Sequence, residues 1–394
     1  MTRELVWRRP MTPRSVDEPH RVSTPLELFF DLCFVVAVAA AAAELHHAEG
    51  DAGHLASGVV SYLMVFFAIW WAWMNVTWFA SAYDSEDVLW RLSIFVVIAG
   101  ALVLASGIPS AFEERDFLIV TIGYCIMRTS LVLMWLRAAR DDPPRRTTSR
   151  RMALGVTLCQ LGWIGLLFVP SAWKMPCFAV LVVAELMVPV LGERHGRTPW
   201  NPEHIAERYG LFTLIVLGES VLSGSIALGS VIGDTDHRSA VWGIAAGGLL
   251  LVFSMWWKYF ARSAEELLTS SRKAFVWGYG HLVVYASAAA VGAGIAVAVD
   301  QATGHLDISE QLAAACVTVP VSLYVVTVYW LHLRPQADAQ GRTWTLLGVP
   351  LLLACTWAPQ PVLLAGLCAA GMVAANVLLD ARDARSQTAQ PSPR

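Results

Sequence analysis

Long apolar runs separated by short polar stretches dominate the chain. Twelve runs are read as spans: residues 26–45, 56–80, 90–108, 117–139, 152–169, 173–191, 209–232, 241–260, 274–299, 312–333, 344–357 and 361–379. A helix needs roughly 20 mostly apolar residues to cross the hydrocarbon of a bilayer. The eleventh run is the weakest, being short and holding Pro350. The runs are continuously apolar and do not alternate, which selects membrane helices over barrel strands. The expected fold is all-α: a polytopic integral membrane protein of about twelve transmembrane helices.

Composition narrows the picture. Of 394 residues, 56% are hydrophobic and 15% charged, and the mean hydropathy is +0.53. A soluble domain carries about 25% charged residues, and this composition in water would expose large apolar patches. The net charge of -3 gives nucleic-acid binding no electrostatic support. The basic residues then set orientation. Arg115, Lys174 and Arg238 fall in outer loops, Arg128 falls inside a span, and the remaining 24 of the 28 lie on the other side. The positive-inside rule makes that side the cytoplasm and puts both termini there. Residues 1–22 are expected to form a basic cytoplasmic tail without secretory-signal character, and residues 381–394 a polar cytoplasmic tail. The seven cysteines all lie in or at the edge of spans, without a Cys-x-x-Cys pair, so neither a disulfide framework nor a zinc site is indicated.

The two halves share landmarks in order. Trp70-Trp71 is matched by Trp256-Trp257, Trp90 by Trp277, Trp135-Leu136-Arg137 by Trp330-Leu331-His332, and Ala184-Glu185 by Ala375-Asn376. With Leu26-Glu27 set against Ala206-Glu207, the offsets run from 180 to 195 residues. Residues 23–192 and 193–380 are therefore read as two six-helix membrane repeats. Six is an even number, so the repeats are parallel, related by an axis along the membrane normal.

Charge at bilayer depth costs about 2.5–3.5 kcal/mol per group and marks function by default. Arg128 and Glu219 each lie near the middle of a span, and an inter-repeat ion pair between them is one reading; other partners, or a protonated Glu219, are the alternative. Glu27 and Asp31 are spaced i, i+4 and share a helix face. Thr24-Pro25-Leu26-Glu27 also reads as a capping box, which accounts for Glu27 but not for the deeper Asp31. Glu185 and His281 lie at comparable inner depth, near Arg91, and with Asp31 would line an inner vestibule. Asn201-Pro202-Glu203-His204 reads as a helix start running into Glu207 and Arg208. Arg208 and Glu219, eleven residues apart, fall close together around a helix. The ion- or substrate-pathway candidates are thus Asp31, Arg128, Glu185, Arg208, Glu219 and His281, with Glu27, Arg91 and Glu207 as structural or gating candidates. His46, His47 and His54 are read as solvated loop residues in preference to metal ligands, and the clustered tryptophans as packing in preference to a cation cage. No cofactor motif or catalytic constellation is evident, so an enzyme is not expected.

Residues 24–35, Thr-Pro-Leu-Glu-Leu-Phe-Phe-Asp-Leu-Cys-Phe-Val, together with His46-His47, resemble the opening of the bacterial low temperature requirement A family (LtrA). Residues 204–219, His-Ile-Ala-Glu-Arg-Tyr-Gly-Leu-Phe-Thr-Leu-Ile-Val-Leu-Gly-Glu, resemble that family's most recognisable segment, and Tyr124 with Arg128 fits it as well. The resemblance implies a bacterial cytoplasmic membrane protein linked to growth in the cold. A remoter similarity, to the motif that opens each repeat of non-canonical potassium channels, departs at Phe30 and Leu211 and stays at the level of fold. The expected function is a proton- or cation-linked transporter with ionisable residues near the repeat interface. The alternatives are a passive cation channel and a non-transporting protein that binds lipid or a partner. The expected partners are membrane lipid and a small ion or small molecule.

Overall fold

The computed structural model describes residues 6–15, 21–230, 238–334 and 339–388, and all regular structure among them is helical. In chain order the helices are α1 (Pro25–Glu49), α2 (Leu55–Tyr83), α3 (Val88–Ser106), the short α4 (Ile108–Glu113), α5 (Leu118–Asp141), α6 (Arg146–Leu166) and α7 (Ser171–Gly192). They continue as α8 (Pro202–Ser230), α9 (Arg238–Phe260), α10 (Ser271–Ala302), α11 (Glu310–Val328), α12 (Ala339–Ala354) and α13 (Pro361–Thr388). Among the described residues, ten helices are long and apolar enough to cross a membrane. The fifth and eleventh expected spans fall on α6 and α12, outside those ten. Helix α6 begins with the basic stretch containing Arg146, Arg150 and Arg151, and α12 is 16 residues long with Pro350 inside it. The ends of both tails, residues 1–5 and 389–394, lie outside the described residues, as do 16–20.

Local chemistry sets the helix starts. Thr24 and Glu27 form the reciprocal capping box at α1: the Thr24 amide donates to Glu27 Oε2 at 2.9 Å, and the Glu27 amide to Thr24 Oγ1 at 3.3 Å. Asp87 caps α3 by accepting from the Trp90 amide at 2.7 Å. Asn201 accepts from the His204 amide at 3.0 Å at the start of α8, where Pro202 occupies the first turn.

Packing runs inside out relative to a soluble protein. Helix α7 buries only Glu185, Val188 and Gly192, while Trp173, Val180 and Val183 lie exposed. Helix α10 is buried without a break from Val284 to Val299, a stretch built largely of Ala, Val and Gly. Apolar side chains outward and selected polar ones inward are what a hydrocarbon solvent demands.

Contacts divide the chain into two compact units, residues 1–41 with 61–212, and residues 42–60 with 213–394. In the first, α3 packs on α5, α5 on α6 and α6 on α7. In the second, α10 packs on α11, α9 on α13, and α12 on α11 and α13. Small residues let backbones approach closely, the usual device between membrane helices. A Cβ at Gly123 of α5 would lie 2.4 Å from the Leu104 amide nitrogen and 2.6 Å from the Gly100 oxygen of α3. A Cβ at Gly294 of α10 would lie 2.1 Å from the Cys316 oxygen of α11.

Gly123→Leu is expected to destabilise the first unit by more than the ~1–3 kcal/mol typical of overpacking, because backbone blocks the new atoms. Gly218→Ala, with nothing within 4 Å of its Cβ position, is expected to leave stability unchanged or raise it, Ala being favoured over Gly in a helix by about 1 kcal/mol. Thermal unfolding of the two variants in detergent, with monodispersity followed by gel filtration, checks both.

Candidate functional site

Two pairs with the same i, i+4 spacing, Glu27 and Asp31 on α1 and His204 and Arg208 on α8, meet in the first unit. All four are buried, none more than 4% exposed. The Arg208 guanidinium reaches both carboxylates: Nη1 lies 2.9 Å from Glu27 Oε1, Nε donates to Asp31 Oδ2 at 3.2 Å, and Nη2 donates to Asp31 Oδ1. The Trp73 indole on α2 donates to Asp31 Oδ1 at 2.7 Å. Trp73 itself stacks on Phe212 with centroids 4.4 Å apart and meets Tyr209 edge-on at 4.9 Å, so the donor is held by packing. His204 Nε2 lies 3.3 Å from Glu27 Oε1 without hydrogen-bond alignment, and neither ring nitrogen makes a hydrogen bond. Glu207 flanks the cluster and accepts from the Ser23 amide at 3.1 Å, while Arg21 donates to the Ala80 and Ser81 carbonyls.

A second buried charge pair lies elsewhere in the same unit. Arg128 of α5 donates through Nη2 to Glu185 Oε1 at 2.7 Å and also to Oε2. The Trp71 indole donates to Glu185 Oε2 at 2.8 Å and the Trp163 indole to Oε1 at 2.9 Å. Each carboxylate oxygen thus takes one guanidinium and one indole bond. Tyr124, one turn before Arg128, places its ring 5.3 Å from the guanidinium carbon. Its hydroxyl makes no hydrogen bond, nor do Arg128 Nε and Nη1. Of the two readings of Arg128, a pair with Glu219 or other partners, the second holds: Arg128 is paired with Glu185. Glu219 belongs to the second unit, is half-buried, and accepts from Ser223 on its own helix at 3.3 Å.

The inner candidates each have their own partners. Asp31 belongs to the Arg208 cluster, Glu185 to the Arg128 pair, and Arg91 is exposed at the start of α3. His281 sits in the second unit, where it accepts from the Tyr259 hydroxyl at 2.9 Å, with its Nδ1 2.7 Å from the Trp277 carbonyl. His332 approaches it at 3.5 Å between Nε2 atoms, from a π-helical turn, Tyr329–Leu333. Sequence reasoning passed over His332, Tyr259 and two buried ionisable groups, Glu49 and Lys258. It also passed over the indoles of Trp71, Trp73 and Trp163 as donors. A signal was available for those indoles, since a buried Trp N–H and a buried carboxylate each need a partner. His46 and His47 lie in the last turn of α1 and not in a loop; His46 Nε2 lies 2.8 Å from Asp300, and in the loop beyond, His54 Nδ1 lies 2.7 Å from Asp51. Among the described residues no three His, Cys, Asp or Glu side chains are grouped as a metal ion would require.

The N-terminal segment is tied to the ends of the first unit's helices. Arg8 pairs with Asp141 at 2.7 Å, the Arg9 amide donates to Asp87 Oδ2 at 2.7 Å, and Arg137 pairs with Asp87. Just past α2, burial and the nearby Glu27 charge push Asp84 up to about 6, against the Glu86 amide and Arg14, which hold it down.

The chain's residues 22–379 match the sequence profile of the bacterial low temperature requirement A protein (LtrA). It is also similar to an uncharacterised protein of Rhizobium meliloti (strain 1021), at 30% identity over 277 residues covering 66% of this chain. The match spans 65% of that relative's length. No solved structure matches the chain. The chain belongs to the LtrA family.

Two outcomes follow from the geometry. Arg128→Met and Glu185→Leu are each expected to cost about 3–5 kcal/mol by stranding a buried charge. The double variant is expected to lose less than the two losses added together; thermal melts of the four proteins measure the coupling. Asp84 holds its proton more tightly folded than unfolded. Its contribution is therefore full below about pH 4 and is lost as pH rises through about 6, a change of about 3 kcal/mol. Asp84→Asn is expected to flatten that part of a stability–pH curve.

Proposed function

We propose that the chain is a twelve-helix protein of the bacterial cytoplasmic membrane, built as two parallel six-helix repeats with both termini cytoplasmic, that moves protons or other small cations. The repeat reading is supported by the tight helix crossings. Gly100 and Gly123 join α3 to α5, while Gly294 and Cys316 join α10 to α11. Corresponding residues are 194 and 193 positions apart, within the offsets of the sequence landmarks. The fifth and eleventh spans draw on their apolar runs, and the orientation draws on the basic-residue bias.

One observation carries the transport reading: the charge count of the Arg208 cluster. Glu27 and Asp31 bring two negative charges, Arg208 one positive, and His204 one positive only when protonated. Arg21 and Glu207, which flank the cluster, add one charge of each sign, and Arg14 pairs with Asp84 at 3.8 Å. The buried set therefore carries one uncompensated negative charge unless it holds a proton or another cation. An uncompensated buried charge is costly enough that the group neutralises instead. His204, whose ring nitrogens make no hydrogen bond, has the free sites to take the proton beside Glu27. Arg208 bridges α1 and α8, so proton loss or gain changes how strongly the two helices are held together. That is the element a coupled carrier needs.

A non-transporting reading rests on a different observation. The Arg128–Glu185 pair is charge-balanced and hydrogen-bonded by two indoles, as a pair that serves helix packing would be.

Flux into proteoliposomes under imposed proton, sodium and potassium gradients tests the proposal. Wild type is expected to carry flux, and monodisperse Asp31→Asn and Glu219→Gln proteins to lose it at least about tenfold. Absence of flux from folded wild type under every gradient would favour the packing reading.

A further inference from the structure

An apolar cavity, open to the outside, lies in the first unit between α2, α5, α6 and α7. Phe67, Thr121, Tyr124, Trp163 and Phe178 line it, and Lys174 is its one charged lining residue. The rings support one another: Trp163 and Phe178 meet at 5.1 Å, Phe67 and Phe178 at 6.4 Å, and Tyr124 and Trp163 at 6.3 Å. No carboxylate pairs with Lys174 among the described residues. Nearby, Phe168 between α6 and α7 is 83% exposed, and Trp173 in the first turn of α7 is 64% exposed. Aromatic side chains so displayed are the anchors of a protein at a membrane interface.

Three features of this cavity point the same way. Its wall offers water almost no hydrogen-bonding partner, so water does not fill it stably. Its surroundings are apolar and outward-facing, so hydrocarbon is the medium in contact with it. Its single charge is a cation with no carboxylate partner among the described residues, which selects an anionic headgroup. We propose that the cavity holds one acyl chain of an anionic phospholipid of the surrounding membrane, with the lipid phosphate on Lys174. The chain fills the space against Phe67 and Phe178 and ends against Tyr124 and Trp163. Those two side chains are shared with the Arg128–Glu185 pair: Trp163 donates to Glu185, and Tyr124 lies against Arg128. The bound chain thus keeps water from the ion pair and holds Trp163 on its acceptor. The lipid is a structural ligand of the first unit, independent of whether the protein carries an ion.

The test is native mass spectrometry of the full chain released from nanodiscs of equal phosphatidylglycerol and phosphatidylcholine. Wild type is expected to retain one phosphatidylglycerol. Lys174→Gln is expected to retain one phospholipid, with its preference for phosphatidylglycerol reduced about fivefold. Ala68→Phe and Thr121→Phe fill the cavity from two different helices and are each expected to lose the lipid, so a folding failure in one leaves the other to read. The proposal is overturned if wild type retains no phospholipid, if it keeps a free fatty acid instead, or if it holds phosphatidylcholine as well as phosphatidylglycerol. It is equally overturned if a folded cavity-filled variant keeps the lipid as wild type does.

Discussion

Cancelling buried charge is the constraint on which the rest of the first unit depends. Arg128 and Arg208 are both essentially inaccessible, and each is met by carboxylate from a different helix. In a low-dielectric interior a lone guanidinium is ruinous and a paired one is tolerable only when the carboxylate's remaining lone pairs are also filled. The indoles of Trp71, Trp163 and Trp73 fill them. The tryptophans of α2 therefore do more than occupy volume. They fix where the carboxylates of α1 and α7 rest, and through them where α5 and α8 rest.

The two arginines differ in arithmetic. Arg128 faces one carboxylate, so its site is neutral with no further group. Arg208 faces two, with a histidine alongside. A neutral site gains nothing by exchanging a proton. A site with one negative charge in excess must hold a proton or cation while sealed and can release it when opened. On the transport proposal, what separates a packing device from a working one is this count of charges, made on residues that occupy similarly buried positions.

The helices were legible because hydrocarbon imposes a simple pattern: the twelve apolar runs each fall on a helix. The capping box at Thr24 and the start at Asn201 were legible because caps are local chemistry. Asp31 and Arg208 emerged as candidates because charge within an apolar run is conspicuous. Their pairing did not, since partners separated by 177 residues leave no trace in spacing. The partner of Arg128, Glu185, was not legible for the same reason. Depth along a span was the only guide, and it says nothing about which helices are neighbours. The arginines of the N-terminal segment illustrate a further blind spot. As a topology signal they were only counted, whereas Arg8 is a specific partner of Asp141 at the end of α5.

On the two-repeat reading the chemistry is unequal between the halves. Asp31 in the first repeat corresponds by offset to Leu211 in the second, and Glu185 corresponds to Asn376. The second repeat instead buries Lys258, His281 and His332. Yet the segment that opens the second repeat supplies His204 and Arg208 to the carboxylates of the first. On that reading the scaffold has kept its helix-crossing geometry, as in the glycine contacts of α3 with α5 and α10 with α11, while the buried acids among the described residues lie in one half. Geometry is held by every residue at a crossing and resists change, since even one added carbon collides with backbone. A charged pair needs only one partner from each side, so a duplicated protein can divide the two between its halves. Each half is then incomplete without the other, and α1 and α8 become the elements whose contact any ion at this site must strengthen or weaken.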